Sequence, residues 1–175
     1  MDAAHFVHEA FLGMVWSKEP LYIPSPSGRN RYNILGALNA TTKEVITVSN
    51  DSYINSDSVG QLLSKLAARR CDGMPITVIL DNARYQRCVA VETCAKALDI
   101  ELLFLPSYSP NLNLIERLWK YVKKNCLYSK YYDKFKDFKQ AVVNCLEDKT
   151  GKTLKCLETL LTCNFQSFKN VKISN

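Results

Sequence analysis

Three acidic residues in distant parts of the chain stand at positions where a carboxylate could act chemically. Asp81 ends a short apolar run, Glu116 lies in the first turn of a predicted helix, and Asp2 begins the first predicted strand. Carboxylate oxygens are ligands that Mg²⁺ takes, so acids that meet in space could bind divalent ions. Simpler interpretations stay open, because an acid at a strand end often forms a turn and one in a first helical turn often complements the helix dipole.

The pattern of apolar residues predicts the elements that must position these acids. Residues 31–40 and 44–50 are rich in strand formers around a possible turn, which predicts a hairpin. The apolar runs 74–82 and 100–106 predict two more strands, buried on both faces, with a helix over 84–98 between them. A strand–helix–strand unit implies parallel pairing. The order predicts an α/β fold with a ribonuclease-H-like mixed sheet, three antiparallel strands followed by two parallel ones.

Further helices flank this sheet in the prediction. Ser56 or Asp57 could cap the first of them, and Asn113 could cap the helix that carries Glu116. Since ligands of α/β sheets gather beyond the carboxyl ends of the strands, Asp81 lies at a favourable place for a site. The predicted flanking helices cover residues 56–66, 114–122, 131–146 and 153–161.

Two sequence blocks surround the second and third acids. They are LDNARYQR at residues 80–87 and LFLPSYSPNLNLIERLWKYVKK at residues 103–124, and 34 residues separate Asp81 from Glu116. Both blocks closely resemble the last two blocks of mariner-superfamily transposases and related bacterial insertion-sequence enzymes, which are DDE superfamily endonucleases. The stretch DAAHFVHEAFLGMVW at the front is similar to the first catalytic block of that family.

The resemblance implies that Asp2, Asp81 and Glu116 are the catalytic, metal-binding carboxylates of a DDE-type DNA transposase. The implied cofactors are two Mg²⁺ or Mn²⁺ ions, which clamp the attacking and leaving oxygens of an in-line phosphoryl displacement. The implied activity is phosphodiester hydrolysis followed by strand transfer, in which the freed 3′ hydroxyl attacks target DNA. Asn82 would orient Asp81 or a metal-bound water.

The segment before Glu116 is expected to preorganise its carboxylate. Pro106, Tyr108, Pro110 and Asn113 would stiffen this approach. Leu114 departs from the family, which usually has proline there, so we expect weaker positioning of Glu116.

Positive charge is concentrated in the C-terminal third of the chain. Residues 1–116 carry 10 Lys and Arg against 12 Asp and Glu, whereas residues 117–175 carry 13 against 5. Such a patch attracts DNA through phosphate neutralisation and counterion release, although a solvated helical surface would have the same composition. The predicted DNA-binding residues follow Glu116 on one helix: Arg117, Lys120, Lys123 and Lys124.

The whole chain is predicted to be one catalytic domain, with a core over about 1–125 and a basic helical segment over about 126–175. Full-length relatives carry an N-terminal helix-turn-helix DNA-binding domain, and we expect this chain to lack it. The expectation is therefore a truncated or split-frame product, with its N-terminal half encoded in a separate frame. Asp2 would then lie on a fraying terminus, and the chain would bind DNA weakly.

Other functions stay open from the sequence. One is a catalytically inactive nucleic-acid-binding remnant, and another is a nuclease that acts on RNA or hybrids. The implied partners are double-stranded DNA, both transposon ends and target, and a second copy of the chain in a homodimer. There is no run of 18 apolar residues, and the N-terminus lacks the basic residues of a secretory signal, so we expect a cytoplasmic, nucleoid-associated protein without a membrane partner.

Overall fold

The elements of the protein are given by a computed structural model, which describes residues 1–8, 16–20, 22, 30–71, 73–106, 112–128, 130–148, 150–162 and 164–165. The strands are β1 (Asp2–Val7), β2 (Arg31–Leu38), β3 (Val45–Asn50), β4 (Ile76–Leu80) and β5 (Ile100–Phe104). The helices are α1 (Ser56–Ala68), α2 (Val89–Ala97), α3 (Leu114–Val122), α4 (Phe135–Glu147) and α5 (Gly151–Leu160). A π-helical turn, Lys123–Leu127, continues α3 directly.

The strands pair as the sequence predicts. β1, β2 and β3 form an antiparallel ladder, and β4 pairs with β5 in parallel. The register places Asp2 opposite Gly36 on β2, and Leu80 opposite Phe104. A hydrogen bond of 2.6 Å from the Met1 ammonium to the Ile79 carbonyl joins the start of β1 to β4. This arrangement confirms a mixed α/β fold with three antiparallel and two parallel strands.

The exposure of β4 and β5 differs from the prediction that both faces are buried. Val78 and Leu80 are buried in a core cluster that α1 and α2 also line. On the opposite face, Ile79 is 44% exposed and Leu103 is 50% exposed. Within the described part of the chain, helices therefore cover only one face of these strands, although their apolar runs are as continuous as those of fully buried strands.

Two helix starts also differ from their predictions. Asn55, not Ser56 or Asp57, caps α1, because its Oδ1 accepts from the Ser58 amide at 3.0 Å and the Ser58 hydroxyl accepts from the Asn55 amide at 3.4 Å. The second helix begins at Val89 instead of residue 84. Residues 84–86 form a turn, and the amides of Gln86 and Arg87 both donate to the Ala83 carbonyl at 2.9 Å.

A second core cluster covers the opposite face of the antiparallel strands and contains the apolar sides of α3 and α4. Trp119 is buried in this cluster and forms an edge-on contact with Phe6, 6.2 Å between ring centroids. A Cβ atom at Gly36 would lie only 2.8 Å from the Trp119 ring and 3.1 Å from Ile115. Because glycine has no side chain, α3 can approach β2 closely at Gly36, the residue that pairs with Asp2.

None of the helices in the described ranges combines the length and the apolar character that crossing a membrane requires.

Candidate active site

Asp2 occupies the first position of β1 and is half-buried. Burial raises the pKa of its carboxyl from 3.8 to about 6, and the negative charges of Asp81 and Glu116 add to this increase. Met1, the neighbour of Asp2, bonds to Ile79, two residues before Asp81, and to Asn113, three residues before Glu116, so the three acids share one region of the molecule.

Asp81 follows β4 directly and is half-buried. One of its oxygens, Oδ1, accepts a hydrogen bond of 3.1 Å from the Ala83 amide. This local bond fixes the carboxylate at the turn that leaves the strand, as is common for aspartate. Among the described residues, no hydrogen bond is seen at the other oxygen, Oδ2.

Glu116 lies in the first turn of α3, and its amide donates to the Asn113 carbonyl at 3.2 Å. Burial raises the pKa of its carboxyl, and Asp81 adds to the increase, whereas Lys120 one turn later lowers it. The helix thus presents the third acid toward the other two and places a compensating cation beside it.

The three carboxylates interact in every pairwise combination: Asp2 with Asp81, Asp2 with Glu116, and Glu116 with Asp81. Their repulsion favours protonation of Asp2 and Glu116, and a divalent cation between them would relieve it. Oxygen donors of this kind suit Mg²⁺ or Mn²⁺. Among the described residues, however, no group of three or more His, Cys, Asp or Glu side chains is already spaced to hold a metal ion. The acids fit such an ion by donor chemistry and charge, and their side chains would have to close around it.

The first strand is tied down at its start, in contrast to the expected fraying. Met1 is buried, with 7% of its surface exposed. Its ammonium group donates to the Ile79 carbonyl, and burial lowers the pKa of that ammonium to about 6, although Asp2 and Asp81 both oppose the decrease. The Met1 carbonyl accepts from Asn113 Nδ2 at 3.4 Å. Strand β4 and helix α3 therefore both hold the residue that precedes Asp2.

The two asparagines of the prediction hold backbone segments in place. Asn113 is the residue before α3 and is buried, but its side chain makes no cap hydrogen bond and instead donates to Met1. Asn82 donates from Nδ2 to the Leu105 carbonyl at 2.5 Å, and its Oδ1 accepts from Arg87 at 3.1 Å. Its amide thus spans the ends of β4 and β5, and the predicted role beside Asp81 stays a prediction.

Tyr85 is a further candidate for the site, and the sequence patterns did not single it out. Burial raises the pKa of its hydroxyl, and the charges of Asp81 and Asp2 contribute, so the phenol lies near two of the three acids. Its hydroxyl accepts a hydrogen bond of 3.3 Å from Gln86, which is fully buried. The available signal was the motif LDNARYQR itself, in which Tyr85 follows Asp81 by four residues.

The predicted DNA-binding residues separate into two groups. Lys120 and Lys124 are exposed, and Lys123 lies 5.9 Å above the centre of the Phe6 ring. Arg117 instead donates to the carbonyls of Leu160, Thr162 and Asn164 at 2.9–3.3 Å and lies 5.4 Å from the centre of the Phe165 ring. These contacts favour a structural role for Arg117, which holds the end of α5 against α3.

The approach to Glu116 is only partly described. Pro106 is exposed and Leu114 is half-buried against the second core cluster. Tyr108 and Pro110 lie outside the described residues, so their predicted stiffening of this segment stays a prediction.

A protein family and a bacterial protein have sequences similar to this chain. A family model described as DDE superfamily endonuclease matches residues 1–139. An uncharacterized protein of Sinorhizobium fredii (strain NBRC 101917 / NGR234), y4pE/y4sA, is 31% identical over 94 residues, which are 53% of this chain and 64% of that protein. The present chain therefore spans less than two thirds of this relative.

Solved structures of Mos1 transposase share the fold. The Mos1 mariner paired end complex with Mn has a TM-score of 0.66 at 15% identity, over 91% of this chain and 51% of that chain. The Mos1 strand transfer complex has a TM-score of 0.64 at 15% identity, over 95% and 54%. The catalytic domain of Mos1 mariner transposase has a TM-score of 0.51 at 13% identity, over 93% and 83%. The chain spans about half the length of the Mos1 chains in the two complexes. The likeness confirms the ribonuclease-H-like fold, and the family model covers most of the sequence, so the chain belongs to the DDE superfamily endonuclease family.

Proposed function

We propose that this chain is the catalytic domain of a DNA transposase, which hydrolyses phosphodiester bonds and transfers the resulting 3′ end to target DNA. The observation that carries the proposal is that Met1 bonds to Ile79 of β4 and to Asn113 before α3, which brings the segments of Asp2, Asp81 and Glu116 to one region of the fold. Acids with raised pKa values cluster at functional sites, and metal-dependent phosphoryl transfer uses such a cluster of carboxylates.

The three acids would hold two Mg²⁺ or Mn²⁺ ions. When bound, such ions supply a more acidic water and neutralise charge on the departing 3′ oxygen. The protein must present ionised carboxylates for this task. Burial favours the protonated forms of both Asp2 and Glu116, and the charge of Lys120 opposes this at Glu116. Acid is therefore expected to oppose assembly of the site.

Double-stranded DNA is the proposed substrate. Lys120 and Lys124 are exposed on the helix that carries Glu116, and Lys123 lies between them in sequence. A cationic surface that continues from the carboxylates would bind the phosphates that flank the bond to be cut and would oppose the negative charge of the acids themselves. Transposon ends and target DNA would both use this surface.

Further parts of the transposition reaction lie beyond one domain. We propose that a segment that reads the transposon ends acts together with this domain, in a longer protein or as the product of a separate frame. Two copies of the chain would act on paired ends, in the nucleoid of the cytoplasm. The names of the Mos1 structures, a paired end complex and a strand transfer complex, support this proposal by similarity of fold.

Nicking of a supercoiled plasmid tests the chemistry directly. The wild-type chain is expected to convert the plasmid to the open circle in the presence of Mg²⁺ or Mn²⁺ and to stop when the metal is chelated. Asp81→Ala is expected to abolish this nicking. Nicking that persists in this variant would show that another protein or another site cuts the DNA.

A second candidate function is a nucleic-acid-binding remnant without catalysis. The observation that favours it is that the described carboxylates are not already spaced to hold a metal ion. DNA binding that depends on Lys120 and Lys124, without nicking under any metal, would support this candidate. A labelled RNA–DNA hybrid in the same assay distinguishes a ribonuclease, which would cut the hybrid and leave the plasmid intact.

A further inference from the structure

Arg87 projects from the turn after β4 at the end of the sheet where Asp81 lies. Its guanidinium carbon is 5.4 Å from the centre of the Phe104 ring, and Phe104 is the last residue of β5. Its Nη1 donates to Asn82 Oδ1 at 3.1 Å. Asn82 is the neighbour of Asp81 in the chain, with Cα atoms about 3.8 Å apart. The guanidinium of Arg87 thus contacts Asn82, and Asn82 is the next residue in the chain after Asp81, a proposed metal ligand.

The partners of Arg87 are themselves fixed. Asn82 donates from Nδ2 to the Leu105 carbonyl at 2.5 Å, which leaves its Oδ1 pointing away from that bond as an acceptor for Arg87. The Leu105 amide donates to the Leu80 carbonyl at 2.8 Å, so the ends of the two strands are also joined by backbone. The side chain of Arg87 has many rotamers, but here the Asn82 amide holds one edge of its guanidinium and the Phe104 ring holds one face.

The charge of Arg87 is not neutralised by these contacts. Asn82 and Phe104 are uncharged, and the ion pairs within the described ranges are formed by Arg69, Arg70 and Lys139. Arg87 is exposed, and its guanidinium has five N–H donors, of which one is donated to Asn82. The remaining donors suit a bidentate contact with an anionic oxygen pair, as in a phosphate.

We infer that Arg87 binds a backbone phosphate of the DNA strand that the carboxylates engage, and that Asn82 positions Arg87 for this contact. The inference rests on the proposed function, since it takes the strand to lie across Asp81. It gives Asn82 a role through Arg87, in addition to any role beside the metal. It also places a cation on the β4–β5 side of the site.

Binding of a fluorescent DNA duplex, followed by anisotropy across a range of NaCl concentrations, tests this inference. Arg87→Ala is expected to weaken binding about tenfold or more and to reduce the salt slope by about one, the value for one lost phosphate contact. Arg87→Lys keeps the charge but not the bidentate geometry, so it is expected to keep the salt slope and to recover only part of the affinity. Asn82→Leu, which removes the acceptor, is expected to weaken binding in the same direction as Arg87→Lys.

Arg84→Ala is the matched control, because Arg84 is an exposed arginine of the same turn. It is expected to change affinity less than twofold. Equal losses in Arg84→Ala and Arg87→Ala would overturn the inference in favour of general attraction by charge. Circular dichroism and the thermal midpoint of each variant show whether the fold is retained.

Plasmid nicking in the same preparations separates this inference from the proposed function. If Asp81→Ala abolishes nicking while Arg87→Ala binds DNA and nicks as the wild type does, the role of Arg87 is wrong and the proposed function stands. If the wild type does not nick under any metal, the proposed function fails, whatever the affinity of Arg87→Ala. A loss of both affinity and nicking in Arg87→Ala, with Arg84→Ala unchanged, supports both.

Discussion

The side-chain amide of Asn113 donates a hydrogen bond of 3.4 Å to the carbonyl of Met1, across 112 positions of sequence. Asn113 immediately precedes the helix that carries Glu116, and Met1 immediately precedes Asp2. One buried contact therefore joins the backbone segments from which two of the three proposed metal ligands project. The site depends on this junction, because neither acid makes a direct hydrogen bond to the other in the described residues.

Removal of that amide is expected to weaken the junction. Asn113→Ala leaves the Met1 carbonyl without its donor, which should lower the free energy of unfolding by about 1–2 kcal/mol. Plasmid nicking should decrease further than stability alone explains, because Asp2 and Glu116 lose their common anchor. Asn125→Ala is the control, since it removes an exposed amide that bonds to the Tyr121 carbonyl at 2.8 Å. Equal effects of the two substitutions on nicking would contradict the positional role of Asn113.

Gly36 is expected to tolerate no side chain. In Gly36→Ala the new Cβ would lie 2.8 Å from the Trp119 ring, so α3 has to move away from β2 at the register of Asp2. Overpacking of this kind costs about 1–3 kcal/mol, measurable by urea denaturation. Gly60→Ala is the matched control, because its Cβ would meet only the Cys94 sulfur at 3.8 Å. That helical position should gain about 0.5–1 kcal/mol. A stable Gly36→Ala variant would show that α3 does not approach the sheet as closely as described.

The contribution of Asp2 to stability is expected to fall as pH rises from about 4 to about 6. Burial raises the pKa of Asp2 from 3.8 to about 6, so the folded state binds this proton more tightly than the unfolded chain within that window. This contribution is therefore largest below the window and is lost as the carboxyl ionises, by about 2 kcal/mol or less. Asp2→Asn, which cannot ionise, should lack this decline in urea denaturation series. Parallel pH curves for the two proteins would exclude a raised pKa at Asp2.

Divalent ions should stabilise the wild-type protein and not a variant without Asp81. Asp81→Asn keeps the Oδ1 that accepts from the Ala83 amide, but it removes a charge that repels Asp2 and Glu116. Without metal, its thermal midpoint should equal or exceed that of the wild type. Saturating Mg²⁺ or Mn²⁺ should raise only the wild-type midpoint, by mass action. Asp137→Asn, at an exposed position of α4, should respond to metal as the wild type does.

Arg117 and Lys124 are expected to give opposite results. Arg117→Ala removes three hydrogen bonds to the last residue of α5 and the residues after it, which should lower the free energy of unfolding by about 1–3 kcal/mol with little change in DNA affinity per folded molecule. Lys124→Ala should leave the thermal midpoint unchanged and reduce the salt slope of DNA binding by about one. A large loss of affinity in folded Arg117→Ala would restore Arg117 to the predicted DNA contacts.

Local patterns were sufficient to predict the order of strands and helices. Alternation, apolar runs and turn residues are properties of neighbouring positions, and β1 to β5 follow them within a few residues. The position of Asp81 at a strand end and of Glu116 in a first helical turn was also readable, because both depend on local structure. The assignment of Asp2 to the same site came from the family resemblance.

Contacts between distant segments were not predictable in the same way. Val89 is an apolar residue of the predicted second helix, yet it is 78% exposed, because α2 turns Val91 and Ala95 toward the sheet. Arg117 donates hydrogen bonds to carbonyls more than 40 positions away in the chain. Its place directly after Glu116 in the sequence gives no indication of these contacts. The exposure of Ile79 and Leu103 was not predictable either, because a continuous apolar run does not show whether helices cover one face of the strands or both.

The π-helical turn after α3 lets two stretches of one continuous helix pack against the same core cluster. The Tyr128 amide donates to the Lys123 carbonyl at 3.0 Å, a bond that spans five residues and takes up one more residue than a regular turn. Before the turn, Ile115 and Trp119 pack in the second core cluster next to Gly36, and after a reset of about one residue Cys126 and Leu127 pack in the same cluster. A homologue one residue shorter at this point could therefore run as an unbroken α-helix and still keep both sides correctly oriented. Variation in length here would be tolerated, whereas the same deletion between Ile115 and Trp119 would turn Glu116 away from its partners.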